Sequence, residues 1–257
     1  MKQLHDIVGE FFGTFILVFF GCGSVVTAVC FDAHTSLTQI ALIWGVGVSL
    51  AIYATRHLSN AHLNPAVSIA MAVSGRMSAS KLPAYIISQF VGAFVGAAVL
   101  YGLFNPSIEA YEAAHNIVRG SQESIQTAKM FGEYYTGVSH GTAFFAEFVG
   151  TFMLVIMIFA LTEGCNVGRP DDSIGPLFIG LTVMAIICII APLTQAGLNP
   201  ARDLAPRLFS YLAGWKDVTM PADFGAITVY VLAPILGAIT AAFTFTKLIE
   251  PLMDNKK

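Results

Sequence analysis

The sequence predicts an all-α membrane protein built from two related halves. Three observations lead to this prediction. Hydrophobic residues make up 56% of the 257 positions and charged residues only 11%, so a soluble domain with a polar surface is excluded. Six long apolar stretches follow one another along the chain, and the tetrapeptide Leu-Asn-Pro-Ala occurs at residues 63–66 and again at residues 198–201.

Each apolar stretch is long enough to cross a bilayer as a helix, which takes about 20 residues. The predicted spans are 7–29, 37–58, 82–104, 141–162, 174–194 and 224–248. The first stretch exceeds the apolar region of a signal peptide, so we expect a retained helix. Lysine and arginine are concentrated on the side of both termini, and the positive-inside rule therefore predicts cytoplasmic termini.

The repeat extends beyond the tetrapeptide. Residues 10–18, Glu-Phe-Phe-Gly-Thr-Phe-Ile-Leu-Val, match residues 147–155, Glu-Phe-Val-Gly-Thr-Phe-Met-Leu-Val. Each half contains three spans, and since three is an odd number the halves must enter the membrane from opposite sides. We therefore expect one domain over residues 1–257, with inverted repeats at about 7–104 and 141–248.

A short apolar stretch follows each Asn-Pro-Ala, at residues 66–73 and 201–212, and is too short to cross. Asn can cap the first turn of a helix and Pro fits its first position, so each stretch is predicted to be a half-helix. Half-helices that enter from opposite faces meet near the midplane with their N-termini together. Irregular backbone at that depth must be buried or line a watery passage.

These motifs are similar to those of the major intrinsic proteins, the aquaporins and glycerol facilitators, over nearly the whole chain. The matching segments are residues 61–67 (Ala-His-Leu-Asn-Pro-Ala-Val), 197–202 (Gly-Leu-Asn-Pro-Ala-Arg), 43–47 (Ile-Trp-Gly-Val-Gly) and both Glu-Phe-x-Gly-Thr helix starts. The resemblance implies the aquaporin-like inverted repeat of six transmembrane helices plus two re-entrant half-helices, with one pore in each subunit of a homotetramer. Asp203, Arg207, Pro234 and Ile235 resemble the glycerol-conducting branch.

The resemblance assigns the two motifs, residues 64–66 and 199–201, to the centre of the pore. The side-chain NH2 groups of Asn64 and Asn199 are expected to point into the pore as free donors. Both half-helix N-termini face the same spot and repel cations there. Backbone carbonyls that act as acceptors are expected from Asn60, Ala61, His62 and Leu63 and from Gln195, Ala196, Gly197 and Leu198.

The resemblance also implies a selectivity filter formed by Trp44, Ile187, Ala196 and Arg202. Arg202 offers fixed donors to a solute, and Trp44 forms an apolar wall for the carbon chain of a polyol. Familiar glycerol facilitators have a Phe where this chain has Ala196 and a Gly where it has Ile187. The set therefore resembles the wider filters of polyol, urea or metalloid-acid channels, which puts rapid glycerol selectivity in doubt.

Glu10 and Glu147 are ionisable residues inside apolar spans and therefore candidates for a functional or structural polar role. By resemblance they accept hydrogen bonds from amides of the re-entrant loops, with His62 close to Glu10; a proton relay is the alternative. The polar segment 105–139 is predicted to form either the outer vestibule or a solvated linker.

These observations predict a passive channel of the cell membrane for glycerol and other small uncharged polar solutes. It is expected to pass some water and to exclude protons and ions. We expect no cofactor, metal or enzymatic activity, because no catalytic motif or metal-ligand spacing is present. The formal net charge of −3 gives no reason to expect a nucleic-acid partner. The alternatives are a water or urea/metalloid-acid channel of the same fold, and an ion-coupled secondary transporter. Apart from Glu10 and Glu147, the spans lack the acidic residues that ion coupling needs.

Overall fold

The computed structural model describes residues 2–220 and 224–254, and this part of the chain is helical with no β-strand. Six of its helices are long and apolar enough to cross a membrane, which confirms the predicted class of fold. The first half contains α1 (Lys2–Phe31), α2 (Leu37–Ser59), α3 (Pro65–Val73) and α4 (Leu82–Ala114). The short α5 (Ile125–Ala128) lies in the connection to the second half.

The second half repeats this order with α6 (His140–Thr162), α7 (Gly175–Thr194) and α8 (Pro200–Ser210). Its last span is a helical run of α9 (Gly225–Ile227), α10 (Ala233–Thr244) and α11 (Glu250–Asp254), joined by π-helical turns at Thr228–Leu232 and Phe245–Ile249. The two short helices that follow Asn-Pro-Ala, α3 and α8, are the half-helices that the sequence predicts.

The two halves pack in the same way. In the first, α1 packs against α2 and α4; in the second, α6 packs against α7 and α10. A Cβ atom added to Gly92 or to Gly237 would lie 2.2 Å from the carbonyl oxygen of Phe11 or Phe148, respectively. Only glycine permits this approach of the helix backbones. The halves meet where α2 packs against α7, α4 against α8 and α3 against α10.

The third span is longer than predicted. We expected it to end at Phe104 and the following segment to be a polar loop, but α4 continues to Ala114 with Pro106 inside it. Proline removes one helical hydrogen bond and usually ends a helix. Here the extension is held by tertiary contacts: Ile108 is fully buried, and Glu112 forms an ion pair with Arg119.

Ion pairs show which end of the bundle holds the chain ends. Asp6 near the start of α1 pairs with Lys81 at 2.8 Å, and Glu250 in α11 pairs with Arg76 at 3.0 Å. We call this end the termini face. The opposite end, where α4 finishes and α5 lies, is called the far face.

Candidate functional site

A cavity of about 480 Å³ lies at the centre of the bundle, where the half-helices meet. Asn64 and Asn199 line its middle. Residues of the far side of this cavity are Trp44, Ile187, Ala196 and Arg202, and residues at the termini face are Arg56, Arg76 and Asp172. Much of the remaining wall is aliphatic, so the cavity combines apolar walls with a few polar groups.

Each Asn caps its half-helix as the sequence suggests. The side-chain oxygen of Asn64 accepts a hydrogen bond from the Ala66 N–H at 2.9 Å. The oxygen of Asn199 accepts from the N–H groups of Ala201 at 3.0 Å and Arg202 at 3.2 Å. With the oxygen committed to the helix, the NH2 group of each side chain must face the other way.

The NH2 groups tie the two halves together. Asn64 Nδ2 donates to the carbonyl oxygen of Leu198 at 2.9 Å, and Asn199 Nδ2 donates to that of Leu63 at 2.7 Å. The expectation of entirely free NH2 groups is therefore corrected: one N–H of each Asn is used in this cross-link, and the second N–H is not. The Leu63 and Leu198 carbonyls likewise have one lone pair already in use.

The loops before the two Asn residues adopt the same unusual backbone. Non-glycine residues have positive φ at Asn60, Ala61 and Leu63 in the first loop and at Gln195, Ala196 and Leu198 in the second, with values from 52° to 72°. Such conformations cost of order 1–3 kcal/mol each and persist only where the surroundings impose them. The contacts that impose them come from the two buried glutamates.

Glu10 binds the first loop. Its carboxylate accepts from the N–H groups of His62 at 3.0 Å and Leu63 at 2.7 Å, and from the hydroxyl of Ser59 at 2.7 Å. Gln89 of α4 adds a fourth donor through Nε2 at 2.7 Å. His62 thus approaches Glu10 through its backbone.

The His62 ring makes contacts of its own. It lies 5.0 Å from the Tyr85 ring, measured between centroids. Its Nδ1 atom lies 3.2 Å from the hydroxyl of Ser68 in α3.

Glu147 binds the second loop in the same way. Its carboxylate accepts from the N–H groups of Gly197 at 2.8 Å and Leu198 at 2.7 Å, and from the hydroxyl of Thr194 at 2.6 Å. Both glutamates are fully buried. A carboxylate that accepts several donors at once can hold a strained loop in place, because releasing the loop would leave each donor unpaired.

The repeated glycine three residues after each glutamate has a packing reason. A Cβ atom on Gly13 would lie 2.2 Å from the Leu63 side chain, and one on Gly150 would lie 2.7 Å from that of Leu198. In each Glu-Phe-x-Gly-Thr segment, the glutamate therefore binds the loop amides while the glycine makes room for the leucine before Asn.

Arg202 and Trp44 are in direct contact at the far side of the cavity. The guanidinium carbon lies 4.2 Å from the centroid of the Trp44 ring, a distance at which a cation is attracted to the ring face. Ile187 and Ala196 also line the cavity and are buried. No aromatic ring occupies the Ala196 position, so this part of the wall is set by small and branched aliphatic side chains.

A residue that sequence reasoning did not single out contacts Arg202. The carboxylate of Glu133, in the loop between α5 and α6, forms an ion pair with the Arg202 guanidinium. The Phe131 carbonyl oxygen accepts from Arg202 Nη1 at 3.4 Å. Burial raises the pKa of the Glu133 carboxyl to about 8, although Arg202 stabilises its charged form. Nothing in the sequence around Glu133 marks it, because the contact is made across 69 positions only after folding.

Asp203 and Arg207 join α8 to the surrounding loops. Arg207 Nε and Nη2 donate to the two carboxylate oxygens of Asp203 at 3.0 and 2.9 Å, and Nη1 donates to the Thr219 carbonyl at 2.6 Å. Both charged side chains are fully buried, and neither is among the residues found to line the cavity. Pro234 and Ile235 in α10 pack as part of the helix core.

Comparisons with known proteins agree with this architecture. The family described as Major intrinsic protein matches residues 1–245. The glycerol uptake facilitator protein of Haemophilus influenzae is 43% identical over 247 residues, covering 95% of this chain and 93% of that protein. The propanediol uptake facilitator of Citrobacter freundii is 40% identical over 245 residues, covering 94% and 91%.

A solved structure has the same fold. The X-ray structure of the aquaglyceroporin from Plasmodium falciparum matches with a TM-score of 0.87 at 28% sequence identity. The match covers 98% of this chain and 99% of that chain.

Proposed function

Because the chain belongs to the major intrinsic protein family, we propose that it is a passive channel for glycerol and other small uncharged polar solutes, with some water. The observation that carries this proposal is the central cavity, which has two Asn side chains at its middle and an Arg–Trp pair near the far face. We assign this channel function to residues 1–257 as one domain with repeats at about 7–104 and 141–248.

A polyol is amphipathic, and the cavity offers a surface for each of its two sides. The remaining N–H groups of Asn64 and Asn199 donate to solute oxygens at the midplane, and Arg202 donates near the far face. Carbonyls of the two loops act as acceptors: those of Asn60, Ala61, His62 and Leu63, and those of Gln195, Ala196, Gly197 and Leu198. The Trp44 ring and the aliphatic wall contact the carbon chain.

The same residues exclude ions. Each half-helix N-terminus carries about half a positive charge, and both lie at the middle of the passage. A cation there meets electrostatic repulsion in addition to the cost of losing its hydration shell. The amide N–H groups of the Asn pair bind oxygen lone pairs, so a water molecule at this point acts as an acceptor on both sides.

Ala196 and Ile187 support a solute range that includes molecules larger than water. A ring at position 196 would occupy part of the passage beside Arg202, and Ala196 leaves that volume free. The relative from Citrobacter freundii is a propanediol uptake facilitator. We therefore include small diols with glycerol in the proposed solute class, and we treat urea and metalloid acids as the alternative.

The protein is a multi-pass membrane protein. We propose that it lies in the cell membrane with both termini in the cytoplasm and assembles as a homotetramer. Arg76 and Lys81 lie at the termini face, which supports this orientation by the positive-inside rule. Large apolar side chains such as Ile87, Phe145 and Ile189 are exposed on the outside of the bundle and would contact lipid or neighbouring subunits.

Stopped-flow measurements on proteoliposomes test the proposal. Vesicles that contain the protein should show faster glycerol entry than empty vesicles, and solute should equilibrate without accumulating when a proton or sodium gradient is applied. Accumulation that depends on such a gradient would instead identify an ion-coupled transporter. Permeabilities for water, urea and propanediol, measured on the same vesicles, rank the solute class.

A further inference from the structure

Glu133 reaches the constriction from outside the two half-helices. It lies in the loop between α5 and α6 at the far face, yet its carboxylate pairs with Arg202, and the two side chains are only 3% and 5% exposed. An ion pair this buried must be held in position by its surroundings to be stable, because both groups have lost their hydration.

The position of Glu133 is held independently of Arg202. Its backbone N–H donates to Asp203 Oδ1 at 2.6 Å, and its carbonyl oxygen accepts from Arg207 Nη2. Asp203 and Arg207 are themselves paired and fully buried in α8. The carboxylate is therefore presented to Arg202 by a rigid support.

Arg202 is in turn held on three sides by Glu133, by the Phe131 carbonyl and by the face of the Trp44 ring. These contacts use part of its five N–H donors and leave the others for the passage. The side chains of the opposite wall, Ala196 and Ile187, are aliphatic and cannot hydrogen-bond to the guanidinium or stack against it. Without Glu133, the long side chain would be free to turn into the open volume.

We propose that Glu133 is a positioning residue that determines specificity, holding the Arg202 guanidinium against Trp44 and compensating its charge so that polyols pass. This inference rests on the proposed function, because it names how the same constriction admits its solutes. When the Glu133 carboxyl is ionised, the Glu133–Arg202 pair and the Asp203–Arg207 pair together make the charged cluster around α8 neutral. A neutral constriction binds a passing hydroxyl without trapping it.

The test compares two glutamates in similar settings on the far face. Glu112 pairs with Arg119 at 2.8 Å, and Arg119 lies 4.3 Å from the Trp215 ring, so this trio resembles Glu133, Arg202 and Trp44 without lining the cavity. The glycerol-to-water permeability ratio is measured in proteoliposomes at about pH 9 for the parent, Glu133→Gln and Glu112→Gln. A ratio is independent of how much protein is inserted.

In Glu133→Gln the ratio should fall about threefold or more, as expected for losing one charge-assisted hydrogen bond. The released guanidinium narrows the passage and binds hydroxyls more tightly, which slows glycerol more than water. Glu112→Gln should keep the parent ratio. An unchanged ratio in Glu133→Gln, or equal changes in both variants, would overturn the proposal.

Two further measurements cover the remaining outcomes. If Glu133→Gln does not assemble, Glu133→Asp, which keeps the charge but is one methylene shorter, should lower the ratio less; an unchanged ratio overturns the proposal. In an Arg202→Val background, Glu133→Gln should have no effect, because coupled residues are not additive. An equal effect in both backgrounds also overturns it.

A parent protein that conducts no glycerol contradicts the proposed function instead, and the urea-to-water permeability ratio then tests the role of Glu133.

Discussion

The two half-helices begin alike and then differ in charge. Both start at an Asn cap followed by Pro and Ala, and both are preceded by a loop bound to a buried glutamate. Beyond the caps, α3 continues with Val67 and contains no charged residue, whereas α8 continues with Arg202, Asp203 and Arg207, all buried. Features that occur twice position the backbone, and we propose that features that occur once, near the far face, distinguish one solute from another.

The repeated part includes contacts outside the motifs. The Tyr230 hydroxyl donates to the Thr194 carbonyl at 3.0 Å, and the Tyr85 hydroxyl donates to the Ser59 carbonyl in the same manner. Each tyrosine thus fixes the end of the helix that leads into its loop. The halves are therefore equivalent in how their loops are supported, and substitutions of equivalent residues test this equivalence directly.

The largest effect is expected from removing the glutamates. Glu147→Ala leaves the N–H groups of Gly197 and Leu198 and one hydroxyl without an acceptor, at about 1–3 kcal/mol each, so roughly 3–9 kcal/mol of stability should be lost. Glu10→Ala should behave alike. Thermal unfolding in detergent measures both, with the exposed Glu109→Ala as control. If only one of the two glutamate variants lost stability, the two halves would not be equivalent in how their loops are supported. A stable variant with altered proton coupling would support a proton-relay role for the glutamate.

A smaller effect is expected at the fourth residue after each Asn, where the halves differ. Asp203→Asn removes the partner of the buried Arg207 and should cost about 3–5 kcal/mol, the usual loss when one side of a buried ion pair is removed. The equivalent position of α3 is Ser68, and Ser68→Ala should cost only about 1 kcal/mol, since neutral hydrogen bonds are lost. Equal losses of unfolding free energy in the two variants would contradict a special role for charge in α8.

Arg202→Val makes the second motif a copy of the first, because the first reads Asn-Pro-Ala-Val. If the charge of Arg202, which the first motif lacks, determines which solutes pass, proton leak through Arg202→Val should rise about tenfold, equivalent to about 1.4 kcal/mol. The order of solute permeabilities should change as well. The matched change Val67→Ala in α3 should leave both unaffected. Proton leak and solute order that remain at the parent values would show that Arg202 has no role at the constriction.

A pH titration sharpens the comparison further, because Arg202 of α8 pairs with an ionisable carboxyl, whereas Val67 at the same position of α3 cannot form an ion pair. With its pKa raised to about 8, the Glu133 carboxyl is charged above that value and protonated below it. The glycerol-to-water ratio should therefore fall about threefold between pH 9 and pH 6, toward the value of Glu133→Gln. Charged and titratable groups that interact with Glu133 are Arg202, Asp203 and Arg207 of α8, Glu147 of α6, Cys22 of α1, the neighbouring Tyr134, and Tyr230 of the Thr228–Leu232 turn. A titration that persists in Glu133→Gln would assign the effect to one of these.

The sequence predicted the helices and the motif residues, and it missed contacts between segments that are distant along the chain. Two Asn-Pro-Ala motifs and two Glu-Phe-x-Gly-Thr segments were enough to predict six spans and two half-helices, because apolar length and duplicated motifs are read directly from the residues. The hydrogen bonds from Asn64 and Asn199 to the opposite loops were missed, since they join atoms that only the folded backbone brings together.

Errors in the far-face loop have a similar cause. The third span was predicted to end at Phe104 because the segment after it is polar, and tertiary packing of Ile108 overrode that local signal. Glu133 stands in a polar loop among other charged residues, and periodicity or composition cannot distinguish an acid that folds back onto Arg202 from one that faces water. Loop residues that reach the site from outside a motif could therefore be identified only from the folded structure.

The smallest effect is expected at the third residue before each Asn, Ala61 and Ala196, where the halves have the same residue. Both have positive φ, 52° and 63°, and both line the cavity. Since alanine already has a Cβ atom, Phe adds little backbone strain at either position. Ala196→Phe places a ring beside Arg202 and Trp44. The ring should lower the glycerol-to-water permeability ratio by about twofold, because water is small enough to pass the narrowed site and glycerol needs the lost volume. Ala61→Phe, on the other side of the Asn pair, should lower glycerol and water permeability together. The outcome also depends on Ile187. If its branched side chain already fills the space opposite Ala196, the added ring in Ala196→Phe will block the passage of all solutes. A glycerol-to-water ratio that stays level or rises in Ala196→Phe while water still passes would show that Ala196 does not border the constriction, and the filter assignment of Trp44, Ile187, Ala196 and Arg202 would then fail.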